Sequence, residues 1–234
     1  KAEIPSYPVT YFFTKEGYFK KITPLSLRMG GEHKLKDGDM LTQSIEADNT
    51  SHLLFFSNAS QVYKSRGSDF DDTKASVLGD YVASKLEFDK EESAVYMAVT
   101  DDYSGYMIFV FENGKVAKVD MKAYETKTNR KKLIGAYSDK SPLVAALYIK
   151  EDAEILISAS NGRRLLVSTA AIAAKSTKNT QGVNVMSLKK GHRVISCETY
   201  TEGMLSVPHR YRTRSLPAAG KLPAAEEAGE QLSF

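Results

Sequence analysis

Basic side chains recur at matching places in this chain of 234 residues, and their chemistry is attraction to phosphate. Lys20 and Lys21, Lys64, and Lys118 share the second strand of a repeated hairpin pattern, although Leu166 breaks the series in the fourth copy. Lysine and arginine neutralise backbone phosphates and release counterions, an attraction that reads no base sequence. A net charge of +3 is weak evidence by itself, so the distribution of charge matters more.

Other chemistries find little support in the residue types and their spacing. The four histidines, which have no metal-ligand spacing, are His33, His52, His192 and His209. Asp101 and Asp102 are neighbours and would point apart on a strand. The single cysteine, Cys197, suits a reducing compartment and is interpreted as a small apolar filler of the last strand. We therefore expect no catalysis by this chain alone.

One pattern of eleven residues, repeated four times without gaps, must position the cations. The copies span residues 12–22, 55–65, 109–119 and 157–167. Their turn residues, at intervals of 43, 54 and 48 residues, are Gly17, Ser60, Gly114 and Gly162. Asn-Gly pairs at the third and fourth turns favour tight hairpins, because both residues tolerate positive φ. A hairpin repeat of this length is typical of a bladed β-array.

A second pattern lies between the hairpins. Leu35 to Leu41 aligns with Leu188 to Val194, each a short turn that leads into an apolar strand. Residues 93–99 and 142–149 predict two further strands before the third and fourth hairpins. The unit then reads as strand, hairpin and basic linker. We expect the last strand, about Arg193 to Tyr200, to pair with the first hairpin and close a ring, which removes exposed edges.

Composition and boundaries complete the organisation. The chain is 42% hydrophobic and 26% charged, has no apolar run of about 18 residues that could span a membrane, and starts without Met, as expected of a piece of a longer protein. We predict a leading segment (1–9), a β-array (10–204) and a C-terminal segment (205–234). That segment is expected to hold a basic edge strand from about Arg210 to Leu216 and a mobile tail beyond Gly220. Helix is expected only as one turn near Thr169 to Lys175.

Three stretches in the correct order give the chain its family resemblance. Thr10 to Ile22, Asp39 to Ser57 and Lys178 to Val194 resemble the first hairpin, the following strand with the second hairpin, and the last blade of one domain. It is the C-terminal domain of bacterial type IIA topoisomerase A subunits, meaning those of gyrase and of topoisomerase IV. The resemblance covers roughly residues 9–200.

The resemblance implies an all-β fold, a β-pinwheel of four-stranded blades, of which we count about four. In that family an outer basic rim binds and bends duplex DNA. Bending costs on the order of 1–6 kcal/mol over 20–30 base pairs, so many contacts are needed to offset it. The family's cleavage tyrosine lies on a winged-helix domain, and the tyrosines here read instead as blade residues such as Tyr11, Tyr18, Tyr63 and Tyr106.

One loop bears on the choice between the two enzymes. The gyrase protein carries the box Gln-Arg-Arg-Gly-Gly-Lys-Gly, which full wrapping requires, and the similar loop here reads Leu27, Arg28, Met29, Gly30, Gly31, Glu32 and His33. Met29 replaces an arginine, and Glu32 replaces a lysine and would repel phosphate. These departures, with four hairpins rather than six blades, favour a topoisomerase IV-like protein. The glycines can also be interpreted as a flexible turn.

The predicted interface and partners follow from these observations. The DNA-binding residues are predicted to be Lys20, Lys21, Arg28, Lys34, Lys64, Arg66, Lys118, Lys122, Arg130, Lys131, Lys132, Arg163, Arg164, Lys178, Lys189, Lys190 and Arg193. No metal ligand and no cofactor are predicted for this chain, whereas the resemblance implies Mg for the parent enzyme and ATP on its partner subunit. The implied partners are duplex DNA, the ATPase B subunit of a heterotetramer, and the rest of the A subunit, in the cytoplasm at the nucleoid and without a membrane.

Two alternatives stay open from sequence. One is a divergent gyrase domain that wraps DNA for negative supercoiling. The other is a β-propeller scaffold that binds proteins through its top loops and needs no basic belt. A basic rim distinguishes the scaffold from a DNA-binding module.

Overall fold

A computed structural model describes residues 2–128 and 130–228, except for the side chains of Glu226 and Ala228. Contacts divide the chain into a first unit (Lys1–Tyr103 and Thr126–Ala136) and a second unit (Ser104–Glu125 and Tyr137–Phe234). The strands are β1 (Pro8–Thr14), β2 (Tyr18–Ile22), β3 (Leu41–Asp48), β4 (His52–Ser57), β5 (Val62–Arg66), β6 (Asp72–Thr73), β7 (Asp80–Tyr81), β8 (Ala94–Thr100), β9 (Tyr106–Phe111), β10 (Lys115–Asp120), β11 (Lys132–Leu133), β12 (Leu143–Ile149), β13 (Glu154–Ala159), β14 (Arg164–Ser168), β15 (Val183–Asn184) and β16 (Val194–Thr199).

The four predicted hairpins are confirmed. They are β1–β2, β4–β5, β9–β10 and β13–β14, all antiparallel. Gly17, Gly114 and Gly162 have φ between +85° and +92°, and Ser60 occupies the same left-handed region at +56°. The turn position therefore requires positive φ in every copy, which glycine adopts without strain. The four sheets built on these hairpins confirm the predicted all-β fold of four blades.

The strand that follows each hairpin pairs back with it, so the predicted order of the unit is wrong. β3 pairs with β1, β8 with β4, β12 with β9, and β16 with β13. The unit is hairpin then strand, not strand then hairpin. The expected pairing of the last strand with the first hairpin is wrong for the same reason, because β16 pairs with β13 and β1 pairs with β3.

One backbone hydrogen bond joins each hairpin tip to the turn before its return strand. Two residues before the turn residue, the amide N–H donates to a carbonyl at the start of that strand. The four bonds are Lys15 N to Met40 O (2.9 Å), Asn58 N to Ser93 O (3.0 Å), Glu112 N to Pro142 O (3.0 Å) and Ser160 N to Arg193 O (2.8 Å). The aligned segments 35–41 and 188–194 therefore hold the same structural position at the first and fourth sheets.

A short strand from the linker beyond the next hairpin completes each of the first three sheets. β6 and β7 pair with β2, β11 with β5, and β15 with β10. In the fourth sheet, isolated bridges join β14 to the C-terminal segment instead, at Leu166–Arg212 and Arg164–Lys221. The C-terminal segment thus covers the edge that another linker would otherwise cover.

The C-terminal segment is less regular than predicted. It forms a 3-10 turn (Pro208–Arg210) and isolated bridges, and not the predicted strand from Arg210 to Leu216. Tyr211 is buried against Leu156, Leu166 and Leu205. In residues 221–228 the Lys221 amide donates to Arg164 O of β14 and Glu227 is buried. The mobility expected beyond Gly220 stays a prediction. The rest of that tail, 229–234, lies outside the described residues.

Each unit has its own core. The first is aromatic: the rings of Phe19, Phe55 and Phe70 contact one another, and Phe13 contacts Phe55. The second is aliphatic, built from residues such as Ile108, Val116, Ile157 and Leu165. Alternation along the hairpin strands places these side chains on the inner faces of their sheets. Helix is limited, in the described residues, to α1 (Pro24–Arg28), α2 (Val82–Lys85), α3 (Ala225–Ala228) and 3-10 turns, one of them the predicted turn at Thr169–Ala171.

Candidate nucleic-acid interface

The lysines of the second hairpin strands are buried. Lys21 and Lys118 are only 3% and 5% exposed. Lys21 Nζ donates to Asn49 Oδ1 (2.7 Å) and to Gly67 O (3.0 Å), and lies 3.2 Å from Asp72 Oδ1. Lys118 Nζ donates to Asp152 Oδ1 (2.8 Å) and Thr169 O (3.1 Å). The expectation that these lysines form an exposed basic rim is wrong, because their ammonium groups are turned toward protein acceptors.

The contacts of these lysines follow a rule that explains the exception at Leu166. Asn49 precedes the second hairpin and Gly67 follows it, and Lys21 of the first hairpin reaches both. Lys118 of the third hairpin reaches Asp152 and Thr169, which flank the fourth hairpin in the same way. The lysine thus clamps its hairpin to the next one. Among the described residues no further hairpin follows the fourth one, and the buried Leu166 packs against Tyr211 of the C-terminal segment.

Lys64 and Lys20 are also held by protein groups. Lys64 is half-buried, donates to Thr126 Oγ1 (3.0 Å) and lies 5.4 Å from the ring centroid of Tyr103. Lys20 is 2% exposed and donates to two backbone carbonyls. Burial lowers its pKa from the usual 10.5. Neither side chain is displayed toward solvent as the sequence pattern predicted.

Three of the predicted arginines also bind the protein itself. Arg66 donates through Nε and Nη2 to Thr50 O, at 3.0 and 2.7 Å. Arg163 Nη1 donates to Gly220 O at 3.0 Å, and Arg164 Nη1 lies 3.8 Å from Glu227 Oε2. All three are half-buried. Their first role is to hold the turn before β4 and the C-terminal segment in place.

The remaining predicted cations lie outside the hairpin strands, and most are exposed. Lys132 pairs with Asp89 at 3.0 Å, Lys122 lies 3.5 Å from Glu125, and Lys178 is half-buried. The exposed members of the predicted set are Arg28, Lys34, Lys122, Arg130, Lys131, Lys132, Lys189, Lys190 and Arg193. The structure therefore places the solvent-accessible members of the predicted set between or after the hairpins, and not on the second strands.

One group of these cations lies at the end of the fourth sheet. Lys189, Lys190, His192 and Arg193 are exposed on the turn before β16. Ser160 of the hairpin tip fixes this turn, because its Oγ accepts from Arg193 N (3.0 Å) and lies 3.1 Å from His192 Nδ1. Arg193 Nε is 3.9 Å from Glu112 Oε2 and its side chain is 60% exposed. His192 was not predicted to bind, although the Leu188–Val194 pattern placed it here.

The corresponding end of the second sheet is acidic. A cleft of about 540 Å³ is lined by side chains that include Glu87, Asp89, Glu91 and Glu92. Glu92 is buried and accepts from Tyr63 OH (2.5 Å), Gln61 Nε2 (2.7 Å), Asp89 N and Ser57 Oγ. Burial by itself raises the pKa of Glu92, but these hydrogen bonds outweigh it and lower the pKa below its usual value. The carboxylates of this cleft repel phosphate.

The box-like loop begins on α1 and leaves it through two glycines. Thr23 Oγ1 caps α1 by accepting from Ser26 N at 3.3 Å. Gly30 and Gly31 have φ of +81° and +114°, where a side chain would be strained. Arg28, Met29 and Glu32 are exposed. His33 lies against Phe12, with ring centroids 4.5 Å apart. The loop therefore shows solvent one cation and one carboxylate before Lys34.

Other kinds of site are not found in the described part of the chain. Among residues 2–128 and 130–228, no group of three or more His, Cys, Asp or Glu side chains is placed to hold a metal ion. Within the same residues no helix is long and apolar enough to cross a membrane. The Cys197 thiol packs beside the second core, and burial raises its pKa.

Four small sheets, each built from a hairpin and its return strand, define the class as an all-β bladed array. No protein-family model matches the chain. The chain is 24% identical over 205 residues to the DNA gyrase A protein of Mycobacterium tuberculosis (strain CDC 1551), with 83% of this chain and 24% of the relative covered. It is 25% identical over 252 residues to the DNA gyrase A protein of Metamycoplasma arthritidis, with 99% and 28% covered. The chain thus spans about a quarter of the length of these relatives.

Solved structures give the same result for the fold. A crystal structure of the C-terminal domain of DNA topoisomerase IV superposes with a TM-score of 0.72 at 25% identity, covering 85% of this chain and 63% of that one. The E. coli ParC C-terminal domain gives 0.67 at 12% identity, with 93% and 94% covered. The chain is similar in sequence and fold to C-terminal domains of type IIA topoisomerase A subunits. The comparisons do not separate the gyrase domain from the topoisomerase IV domain.

Proposed function

We propose that this chain is a non-catalytic module that binds duplex DNA without sequence preference, within the A subunit of a type IIA topoisomerase. The observation that carries the proposal is the exposed turn of Lys189, Lys190 and Arg193, fixed in shape by Ser160. Three cations on one rigid turn can contact successive phosphates without a further loss of backbone entropy. Relatives named as DNA gyrase A proteins and topoisomerase IV domains of the same fold support this choice.

The parent protein would be an ATP-dependent enzyme. ATP would bind its B subunit partner and Mg the cleavage region, and this module would supply neither site. The implied assembly is a heterotetramer of A and B subunits on the nucleoid in the cytoplasm. The module would guide the DNA segment to be transported or bent, so that a substitution in it alters the choice of substrate rather than the chemistry of cleavage.

The box-like loop favours topoisomerase IV-like behaviour within this family. Glu32 and Met29 are exposed where the gyrase box has a lysine and an arginine. Strong wrapping needs continuous attraction along the bent path, since the bend costs on the order of 1–6 kcal/mol. We therefore propose that the parent enzyme relaxes and decatenates DNA without introducing negative supercoils.

Two experiments test these proposals. Fluorescence anisotropy with duplexes of different sequence should give equal affinities, with a log–log salt slope of about −0.9 for each phosphate contacted. Affinity that is flat in salt, or limited to one sequence, would overturn the binding proposal. A supercoiling assay on relaxed plasmid, with the parent enzyme assembled from both of its subunits, tests the second: ATP-driven negative supercoiling would make this a divergent gyrase domain. In that assay the variant Met29→Arg with Glu32→Lys should gain wrapping.

A protein-binding scaffold is the remaining alternative, and the acidic cleft of the second sheet is the observation that favours it. That cleft cannot attract a duplex, whereas the fourth sheet can. The salt titration distinguishes the two functions. A protein-binding scaffold should not show the steep log–log salt slope that several phosphate contacts produce.

A further inference from the structure

Lys20 occupies an unusual position for a lysine on a hairpin strand. Its Nζ is 2.9 Å from Ala75 O, 3.0 Å from Lys34 O and 3.2 Å from His33 Nδ1. An ammonium group has three N–H donors and no acceptor. All three donors of Lys20 are thus used, two of them by residues at the end of the box-like loop. The Lys34 amide also donates to Ala75 O at 2.9 Å, so this carbonyl joins the loop to the linker after β6.

His33 completes this arrangement as an acceptor. Its Nδ1 faces a donor, so the proton of the neutral ring belongs on Nε2. The ring is half-buried and lies against Phe12, whose side chain packs with Ile22, Ala75 and Leu27. Leu27 and His33 therefore fix the two ends of the loop to the same small apolar cluster. Met29, Gly30, Gly31 and Glu32 project between them into solvent.

We propose that Lys20 is a positioning residue that latches the 29–34 loop onto the first sheet, and that the latch opens when His33 takes a proton. Protonation at Nδ1 removes the acceptor and puts a second cation 3.2 Å from the first. One positive charge is accommodated at this site because three acceptors surround it. Two positive charges are not, since no carboxylate is bonded to either group among the described residues.

The direction of the pH dependence follows from the surroundings of His33. Burial and the charge of Lys20 on β2 lower the pKa of His33 from its ordinary 6.5. On its own loop Glu32 and Lys34 are exposed neighbours, as is Lys74 beside Ala75. A group with a lowered pKa stabilises the closed state fully above 6.5, and this stabilisation is lost as the pH falls below that value. The latch is therefore closed at neutral pH and opens in mild acid.

Hydrogen exchange of the full chain tests the latch directly. Protection of the amides of residues 29–34 should fall by roughly threefold to tenfold between one pH unit above and one below 6.5, after correction for intrinsic rates. His33→Gln keeps an acceptor that does not titrate, so the loop should stay protected at both values. His192 gives a matched control, since its Nδ1 faces the neutral Ser160 hydroxyl at 3.1 Å. His192→Gln should leave the exchange of 29–34 as in the wild type.

Two results would overturn the latch. One is a His33 ring that titrates at or above 6.5 by NMR. The other is an unchanged pH dependence of loop exchange in His33→Gln, which would place the sensitive group elsewhere. Both measurements use the folded chain without a ligand. The same spectra show whether each variant is folded.

A DNA-binding measurement distinguishes a positioning role of Lys20 from direct contact with phosphate. This measurement rests on the proposed function. A lysine that contacts phosphate contributes about 0.9 to the salt slope. Lys20→Met should weaken duplex affinity by roughly twofold to fivefold with the slope unchanged, whereas Lys34→Ala should reduce the slope by about 0.9. A slope change in Lys20→Met would make Lys20 a contact residue and overturn the positioning role. Absence of any duplex binding by the wild type would overturn the proposed function and leave the exchange result in force.

Discussion

The turns at residues 35–41 and 188–194 have the same backbone conformation but opposite net charge. In each, a glycine takes positive φ, +81° at Gly38 and +87° at Gly191, and the last turn residue accepts from a hairpin tip. The first turn carries one lysine and two aspartates, and the second two lysines and an arginine. Asp39 also caps Glu16 N and Met40 N, at 2.9 and 2.8 Å. The repeat thus preserves geometry and leaves charge free to vary, and the proposed DNA contacts lie in that variable part.

The same contrast appears inside the hairpins, where the charge is structural. Lys21 and Lys118 are buried because they clamp successive hairpins, and Leu166 replaces the lysine on the last hairpin of the described residues. A basic residue in a repeat therefore has two possible roles, and burial decides between them. Substitutions at matched positions can test this division.

The largest effect on the free energy of unfolding is expected at Leu166, which takes the place of the clamping lysine in the fourth hairpin. Leu166→Lys would bury an ammonium among Leu156, Leu205 and Tyr211 without the acceptors that Lys118 has. An uncompensated buried charge costs about 3–5 kcal/mol. Urea unfolding should show this loss, and Lys118→Met, which leaves Asp152 half-exposed, should lose only about 1–3 kcal/mol. Equal losses at the two positions would refute the clamp rule.

On DNA affinity, the fourth-sheet turn should dominate. Lys189→Glu with Lys190→Glu reverses two exposed charges and should weaken duplex binding at least roughly tenfold at moderate salt. Lys36→Glu, the matched change at the first-sheet turn, should alter affinity less than about twofold, because Asp37 and Asp39 already oppose phosphate there. Fluorescence anisotropy measures the two affinities. A larger loss of affinity in Lys36→Glu would place the interface at the first sheet.

A smaller gain should follow from transferring charge to the first turn. Asp37→Lys with Met40→Arg copies two side chains of the fourth-sheet turn onto exposed positions and leaves the capping Asp39 intact. Duplex affinity should rise by roughly twofold to fivefold, with a steeper salt slope. No gain would mean that the first sheet faces away from the bound DNA.

The smallest effect concerns acid stability. The hydrogen bond from Lys118, with one from Thr169, lowers the pKa of Asp152 below its ordinary 3.8. A lowered carboxyl pKa stabilises the fold above 3.8, and this contribution is lost as the pH falls below that value. The stability difference between the wild type and Lys118→Met should therefore narrow in acid, by a small amount because Asp152 is 40% exposed. A difference that is constant with pH would assign the clamp to Thr169 O alone.

The hairpins could be predicted from sequence because Gly and Asn at the turns and alternating apolar residues are local signals. Return-strand pairing could not, since a strand between two hairpins carries no mark of which one it joins. Burial of Lys21 depends on Asn49 and Gly67, distant in sequence, so its charge suggested a surface. For Lys189 and Lys190 the local turn pattern was sufficient, because a tight turn with Gly191 exposes its neighbours.

The salt dependence of duplex binding, compared between Lys189→Ala and Lys21→Met, tests the division between exposed and clamping lysines most directly. Lys189 is exposed, so its loss should reduce the magnitude of the log–log slope by about 0.9. Lys21 is bonded to Asn49 Oδ1 and Gly67 O, so its loss should lower stability and leave the slope of the folded fraction unchanged. An unchanged slope in Lys189→Ala together with a reduced slope in Lys21→Met would contradict the account.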